Sequence, residues 1–347
     1  MNTRQDRRIT RRHFGVQLGA LAAGFTAGSL AHAAEGGKRP DFVVVTGGDK
    51  LSKLDASYQR IKKATDRIGG LKSFVAGKHV LIKVNAIDQK TGKGSTSIEA
   101  MQALVKLSKE SQAASVSVIS HDWGFDTKHP CGRTVRQGVR EVGARLIHMK
   151  EEPGPYKPVK VDDGGWGTIW IAPAILRPNT VLINLPRLKT HPFTCFTCCV
   201  KNQMGLTCYM RGFHSADDKA QQEKWTALPQ KMAAAYQHIF RDKWTLHVVD
   251  AQEPTFGWDG PPPERVRTFK AHTTIVGFDA LAIDVYAAGI MHDLEPKLFV
   301  EPLSNWTQGD GPYPTNNLTK DNYLLACAKR GLGETDLGKL KIDKLTI

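Results

Sequence analysis

The sequence predicts an α/β fold: a mostly parallel sheet with helices on both faces and the site at the strand carboxyl ends. Two observations carry that expectation. Short apolar runs such as HVLIKV at 79–84 and VLINL at 181–185 recur along the chain and read as buried strands. Between them lie segments whose apolar residues repeat at helical spacing. Strands that alternate with helices close into a parallel sheet covered on both sides.

The elements follow in order. DFVVVT at 41–46 is the first strand. Residues 52–67 form a helix with Ser52 as N-cap and Asp55 three residues on. Leu54, Tyr58, Ile61 and Ile68 make its apolar face. HVLIKV is the second strand, and 97–109 a helix striped by Ile98, Met101, Leu104 and Val105. SVSVIS at 115–120 is a strand, and 134–142 a helix stopped by Gly143. Further strands are expected at 145–149, 168–172, 180–185, 245–249 and 273–277. A helix from about Pro229 to Phe240 precedes the fourth of these, and Asp279 caps another.

The first 33 residues have the composition of an export peptide. Arg4, Arg7 and Arg8 precede the pair Arg11-Arg12, an uncharged Gly/Ala-rich run follows, and Ala31-His32-Ala33 has the form of a cleavage signal. This is a twin-arginine pattern, a route that carries folded cargo. The expectation is a signal peptide over 1–33, a linker over 34–40 and a single α/β domain over 41–347. The implied location is periplasmic or otherwise exported, with the twin-arginine translocon as partner and no membrane span after processing. The Gly/Ala content of the run argues against a permanent anchor.

Charge narrows the partners. The chain carries a formal +14, and loss of the five arginines and Asp6 of the leader leaves +10. A basic exported protein attracts small anions. With no block of five like charges and no aromatic-interleaved basic patch, nucleic acid is not an expected partner.

The site is expected where strands end, because ligands of open parallel sheets bind outside the carboxyl ends. There HVLIKV runs into Asn85, SVSVIS into His121-Asp122, TLHVV into Asp250 and TTIVGF into Asp279. VLINL runs into a loop with Lys189, Thr190, His191, Thr194, Thr197, Lys201 and Asn202. Two ammonium groups, an imidazole, hydroxyls and an amide in twenty residues suit an anion or a proton transfer.

These residues resemble a known family. Pro186-x-x-Lys189-x-His191, Thr197-x-x-x-Lys201-Asn202-x-x-Gly205 and His214 are similar to the signature of the domain-of-unknown-function family numbered 362. Lys83-x-Asn85, Asp122, Asp250 before Gly260-Pro261, and Asp279-x-x-x-x-Asp284 extend the resemblance from about Phe42 to Asp293. The chain departs from that pattern in three ways. Val84 stands in a usual proline position, the ferredoxin-type repeats of some relatives are missing, and Cys195, Cys198 and Cys199 replace small or apolar residues. The resemblance supplies positions rather than a reaction. As an analogy, His191, Thr197 and Lys201 are also spaced as in nickel-dependent lactate racemases.

The expected enzyme acts on a small anionic substrate, with a divalent metal as a candidate cofactor. Lys189, Thr197, Lys201, Asn202 and Asn85 are the substrate-binding candidates. His191 and His214 are acid/base candidates. Asp122, Asp250 and His121 are metal or orienting candidates. Lys189, His191, Lys201, Asn202, Asp122 and Asp250 are expected in one shared cleft, with Asp284 paired to Lys189 or Lys201. Cys195, Cys198, Cys199 and Cys208 leave three readings open: core packing, a disulfide, or an iron–sulfur or thiolate-metal centre. The rival functions are therefore a redox protein and a non-catalytic anion- or metal-binding protein.

Overall fold

A computed structural model describes residues 39–149, 156–163, 167–191, 194–208, 228–256, 266–295 and 322–347. The strands are β1 (Phe42–Thr46), β2 (His79–Val84), β3 (Ser115–Ser120), β4 (Arg145–His148), β5 (Lys157–Val161), β6 (Gly167–Ile171) and β7 (Thr180–Leu185). They continue with β8 (Arg187–His191), β9 (Cys195–Thr197), β10 (Trp244–Phe256), β11 (Arg267–Thr268), β12 (Thr273–Gly277) and β13 (Ile342–Thr346). The helices are α1 (Lys53–Arg67), α2 (Leu71–Val75), α3 (Ile98–Glu110), α4 (Val135–Glu141) and the short α5 (Cys199–Asn202). Then come α6 (Leu228–Ala235), which runs on as a π turn, α7 (Ala280–Leu294) and α8 (Tyr323–Ala328).

The main sheet runs β13-β1-β12-β10-β7-β2-β3-β4. Only β12 is antiparallel to its neighbours along that path. The fold is thus α/β with a mostly parallel central sheet flanked by helices. Alternation along each strand sends successive side chains to opposite faces. Val80, Ile82, Ile183, Leu185, Leu246 and Val248 enter the core beneath α1 to α4. Leu81, Leu182, Val249 and Ile275 enter the second core, beneath α5 to α8.

Ser52 caps α1 as its sequence position predicts, and Ser97 and Thr134, expected as the first residues of their helices, cap α3 and α4, the last in a full capping box. Two regions differ from the prediction. The strand expected at 245–249 runs for 13 residues, Trp244–Phe256. Its second half alternates with polar residues that are buried and hydrogen-bonded, which conceals it from a hydropathy reading. The loop expected after Pro186 is instead the hairpin β8–β9, with Lys189 opposite Thr197 and His191 opposite Cys195. Arg187-Leu188-Lys189-Thr190-His191 has a strand's alternation with only one apolar residue. Among the described residues, no helix is long and apolar enough to cross a membrane.

Candidate functional site

From β2, the chain proceeds through α3 to β3 on one side, whereas β7 lies on the other. The order reverses at β2/β7, and the crevice outside those carboxyl ends is where such sheets bind ligands. Two polar systems flank it, one on each face.

On the α5–α8 face, Lys83, Asn184 and His247 stand side by side on β2, β7 and β10. The Lys83 ammonium donates to the Val84 carbonyl (2.5 Å) and to Asn202 Oδ1 (3.0 Å). Asn202 Nδ2 donates to Asn184 Oδ1 (2.7 Å), and Asn184 Nδ2 donates to the Cys199 carbonyl (2.9 Å) and meets His247 Nδ1 at 3.0 Å. Donation from an amide makes that ring nitrogen the acceptor, so the imidazole proton sits on Nε2. Burial pulls His247 down to about 3, and it stays neutral. Burial, with Lys201 adding repulsion, pulls Lys83 down to about 7. No carboxylate is among its hydrogen-bond partners. Gly205 closes over this amine: a Cβ there would lie 2.5 Å from Lys83 Cε and 2.6 Å from Nζ. The glycine of the central motif makes room for the lysine of the second strand.

On the α1–α4 face the charges are compensated. Asp250 Oδ2 accepts from Arg187 Nη1 (2.9 Å) and from the Ser97 N–H (2.8 Å). Burial alone would raise this carboxyl, but Arg187 and Ser97 outweigh it and hold it below the usual range. Arg60, wholly buried, donates to Gln252 Oε1 (2.5 Å), Thr274 Oγ1 (3.2 Å) and the Gly47 carbonyl (2.7 Å). Sequence reasoning missed Arg60, Arg187 and His129. Arg187 could have been found, since it begins the Arg-x-Lys-x-His alternation. For Arg60, one residue off a helix's apolar face, the signal was weak.

The predicted residues divide between these systems. Lys201 and Asn202 lie in α5 with Lys83. Leu188 enters the α5–α8 core, so Arg187, Lys189 and His191 share the other face of β8. Lys189 is fully buried and His191 nearly so. The one shared cleft expected for Lys201 and Asp250 is therefore not formed: the sheet lies between them. Asp250, expected as a metal ligand, is a counter-ion to Arg187. Asp279 follows the antiparallel strand, so it lies at the opposite edge, where it caps α7 through the Leu281 and Ala282 N–H groups. His121 ends β3, its Nε2 3.3 Å from the Thr207 carbonyl. Asn85 follows β2, and its buried Oδ1 has no hydrogen-bond partner; neither has Thr197 Oγ1. His214 lies outside the described residues, as do the side chains of Asp122 and Cys195.

The cysteines also diverge from expectation. All five described ones, Cys131, Cys198, Cys199, Cys208 and Cys327, are free thiols. The neighbouring Cys198 and Cys199 sulfurs approach to 4.0 Å. Each offers a ligand atom within 4.8 Å of a carboxylate oxygen of Asp284, a group that does not include Cys208. Asp284, the expected partner of Lys189 or Lys201, is held by backbone N–H groups and a phenol. Its oxygens accept from the Cys199 N–H (2.6 Å), the Val200 N–H (3.0 Å) and Tyr323 Oη (3.0 Å), because the start of α5 presents free N–H groups there. Burial lifts Asp284 to about 6 and the Cys198 thiol to about 12.

No curated protein matches this sequence. A crystal structure of a Thermotoga maritima protein from a structural genomics consortium is similar with a TM-score of 0.46 and 10% identity, over 73% of this chain and 60% of its own. This chain thus spans less than two thirds of that protein's length. The family described as Domain of unknown function (DUF362) matches residues 80–289. That span runs from β2 into α7, holds Lys83, Asn202, Arg187 and Asp250, and exceeds half the sequence, so the chain belongs to this family.

Proposed function

We propose that this protein is an enzyme acting on a small anionic substrate at the β2/β7 edge, exported folded by the twin-arginine route to the periplasm. The observation that carries the reading is Lys83. It is a buried amine at the switch point, bonded to neutral oxygens and repelled by Lys201. An oxyanion beside it would return the charge that burial suppresses. Lys201 and Asn202 from α5 bind the anion with it, and Asn85 follows β2 at the same edge, whereas Lys189 and its register partner Thr197 lie on the Arg187 face of β8. His214 is the remaining acid/base candidate for this site.

The test is thermal denaturation of the processed protein at pH 8 with phosphate, acetate or chloride at matched ionic strength. Specific stabilisation by one oxyanion, reduced to the same extent in Lys83→Met and Lys201→Met, supports the site. Equal effects of all three salts refute it. Turnover is then sought among small carboxylates and phosphate monoesters. A binding protein without catalysis would show the affinity and no turnover.

A second reading, a thiolate-metal centre, is favoured by the convergence of Cys198, Cys199 and Asp284. Its two sulfurs and one oxygen suit a borderline or soft cation. Elemental analysis of protein exported by its own signal decides it, since iron or zinc well below one atom per chain removes this reading.

A further inference from the structure

A cleft of about 180 Å³ opens on the α1–α4 face, and none of the residues argued above for binding lines it except Arg187 as a counter-ion. Its walls include His129, Lys93, Glu99 and Gln252. His129 is only 5% exposed and Arg187 3%. His129 Nε2 and Arg187 Nε are buried, and neither has a hydrogen-bond partner. The terminal nitrogens of Arg187 go to Asp250 (2.9 Å) and Thr255 (3.4 Å), which leaves Nε as the guanidinium nitrogen without a partner among the described residues. A buried polar group left unpaired costs about 1–3 kcal/mol. Native structures hold few of these, and two in the wall of one cleft call for a common explanation.

Three further features give the site a chemistry. Gly92, at φ +68°, lies against the His129 ring; a Cβ there would be 2.8 Å from His129 Cα and Cδ2. The ring is therefore fixed by packing while its nitrogen stays available. Burial, then the charge of Arg187, pulls His129 down to about 4, so it acts as a neutral hydrogen-bonding group. Lys93 is half-buried and makes no ion pair with the described residues, whereas Lys53 is taken by Glu253 at 2.8 Å and Glu99 faces Arg133 at 3.9 Å. The uncommitted groups are an ammonium, a guanidinium N–H and a neutral imidazole.

We infer that this cleft is a second small-molecule site, which binds an oxyanion through Arg187 Nε and Lys93 and a neutral polar group of the same ligand through His129. Carboxylate and phosphate share the required chemistry. The sheet separates the cleft from Lys83, so its occupancy is independent of the anion site proposed above.

The experiment is a 15N NMR titration of the processed protein with inorganic phosphate and, separately, acetate, following the Arg187 Nε–H and the His129 ring nitrogens. The expected result is a saturable shift of both signals with at least one probe. Binding should weaken tenfold or more in Lys93→Met, fall in His129→Ala, and persist unchanged in Lys83→Met. A response to phosphate alone assigns phosphate esters; a response to acetate alone assigns carboxylates. The inference is overturned if neither probe moves the two signals in folded protein, or if Lys93→Met and His129→Ala bind as the parent does. Arg187→Lys is not used, because loss of the Asp250 partner threatens folding.

Discussion

The two faces of the sheet solve the same electrostatic problem in opposite ways. Beneath α1 to α4, Arg187 meets Asp250, and Arg60 has a fork of three neutral acceptors with Asp250 nearby. Beneath α5 to α8, the Lys83 ammonium has amide and carbonyl oxygens only. The carboxylate available on that side, Asp284, is committed to the backbone of α5 and to Tyr323. A buried cation with a counter-ion is a structural element. A buried cation held by dipoles is strained toward its neutral form and responds to any anion that reaches it.

The largest expected effect tests the compensated face. Asp250→Asn strands Arg187 in the interior and also weakens the bond from Ser97. The loss is expected at about 3–5 kcal/mol, read as a fall in the urea midpoint with an unchanged slope. A loss under about 1 kcal/mol would mean that this pair is as dispensable as a surface bridge.

Gly205→Ala tests the fit on the other face. The new methyl must displace the Lys83 amine, at a cost of about 1–3 kcal/mol. The double variant Lys83→Ala/Gly205→Ala should recover most of that cost relative to Lys83→Ala, a coupling measured by a double-mutant cycle. Simple additivity would break the proposed contact.

Lys83→Met sharpens the contrast through pH. The native amine titrates near 7 and the unfolded one near its ordinary value, so between them the unfolded chain binds more protons. The parent therefore gains stability relative to Lys83→Met as pH rises from about 7 to 10, and the difference is flat below 7. Denaturant midpoints of the two proteins across that range check it; parallel curves would place the native pKa back at the ordinary value.

The smallest effect concerns the committed carboxylate. Tyr323→Phe removes one donor to Asp284 and should cost about 0.5–1.5 kcal/mol. Asp284 titrates above its unfolded value, so its contribution favours folding at low pH and is lost as pH rises from about 4 through 6. Without Tyr323 that window should extend upward, visible in the carboxyl 13C shift of Asp284. No upward movement would mean the hydroxyl does little there.

Much of this fold was legible in the sequence because apolar periodicity reports burial directly. β2, β3 and β7 begin and end where their runs of valine, leucine and isoleucine do. The caps at Ser52 and Asp279 were legible for the same local reason. What escaped was pairing. The direction of β12 is set by its neighbours, and with it Asp279 moves to the wrong edge for the site. Arg187 and Asp250, 63 residues apart, find each other only through the register of β8 on β10. The face to which a strand-end residue turns depends on one-residue parity. The sequence therefore located Lys201 and Asp250 at the same edge but could not separate them across the sheet.

The outermost pairing has a consequence for how the molecule is made. β1, at residues 42–46, lies in register with β13, at residues 342–346. The final strand is thus added to the first at a sequence separation of 300 residues. Contacts of such long range form late. This edge cannot be sealed until β13 has been made and has left the ribosome, 300 residues after β1. Until then β1 presents an open backbone ladder to any passing strand. The few residues of β13 act as the sheet's selvedge, and truncation before Ile342 should turn a soluble product into one that self-associates.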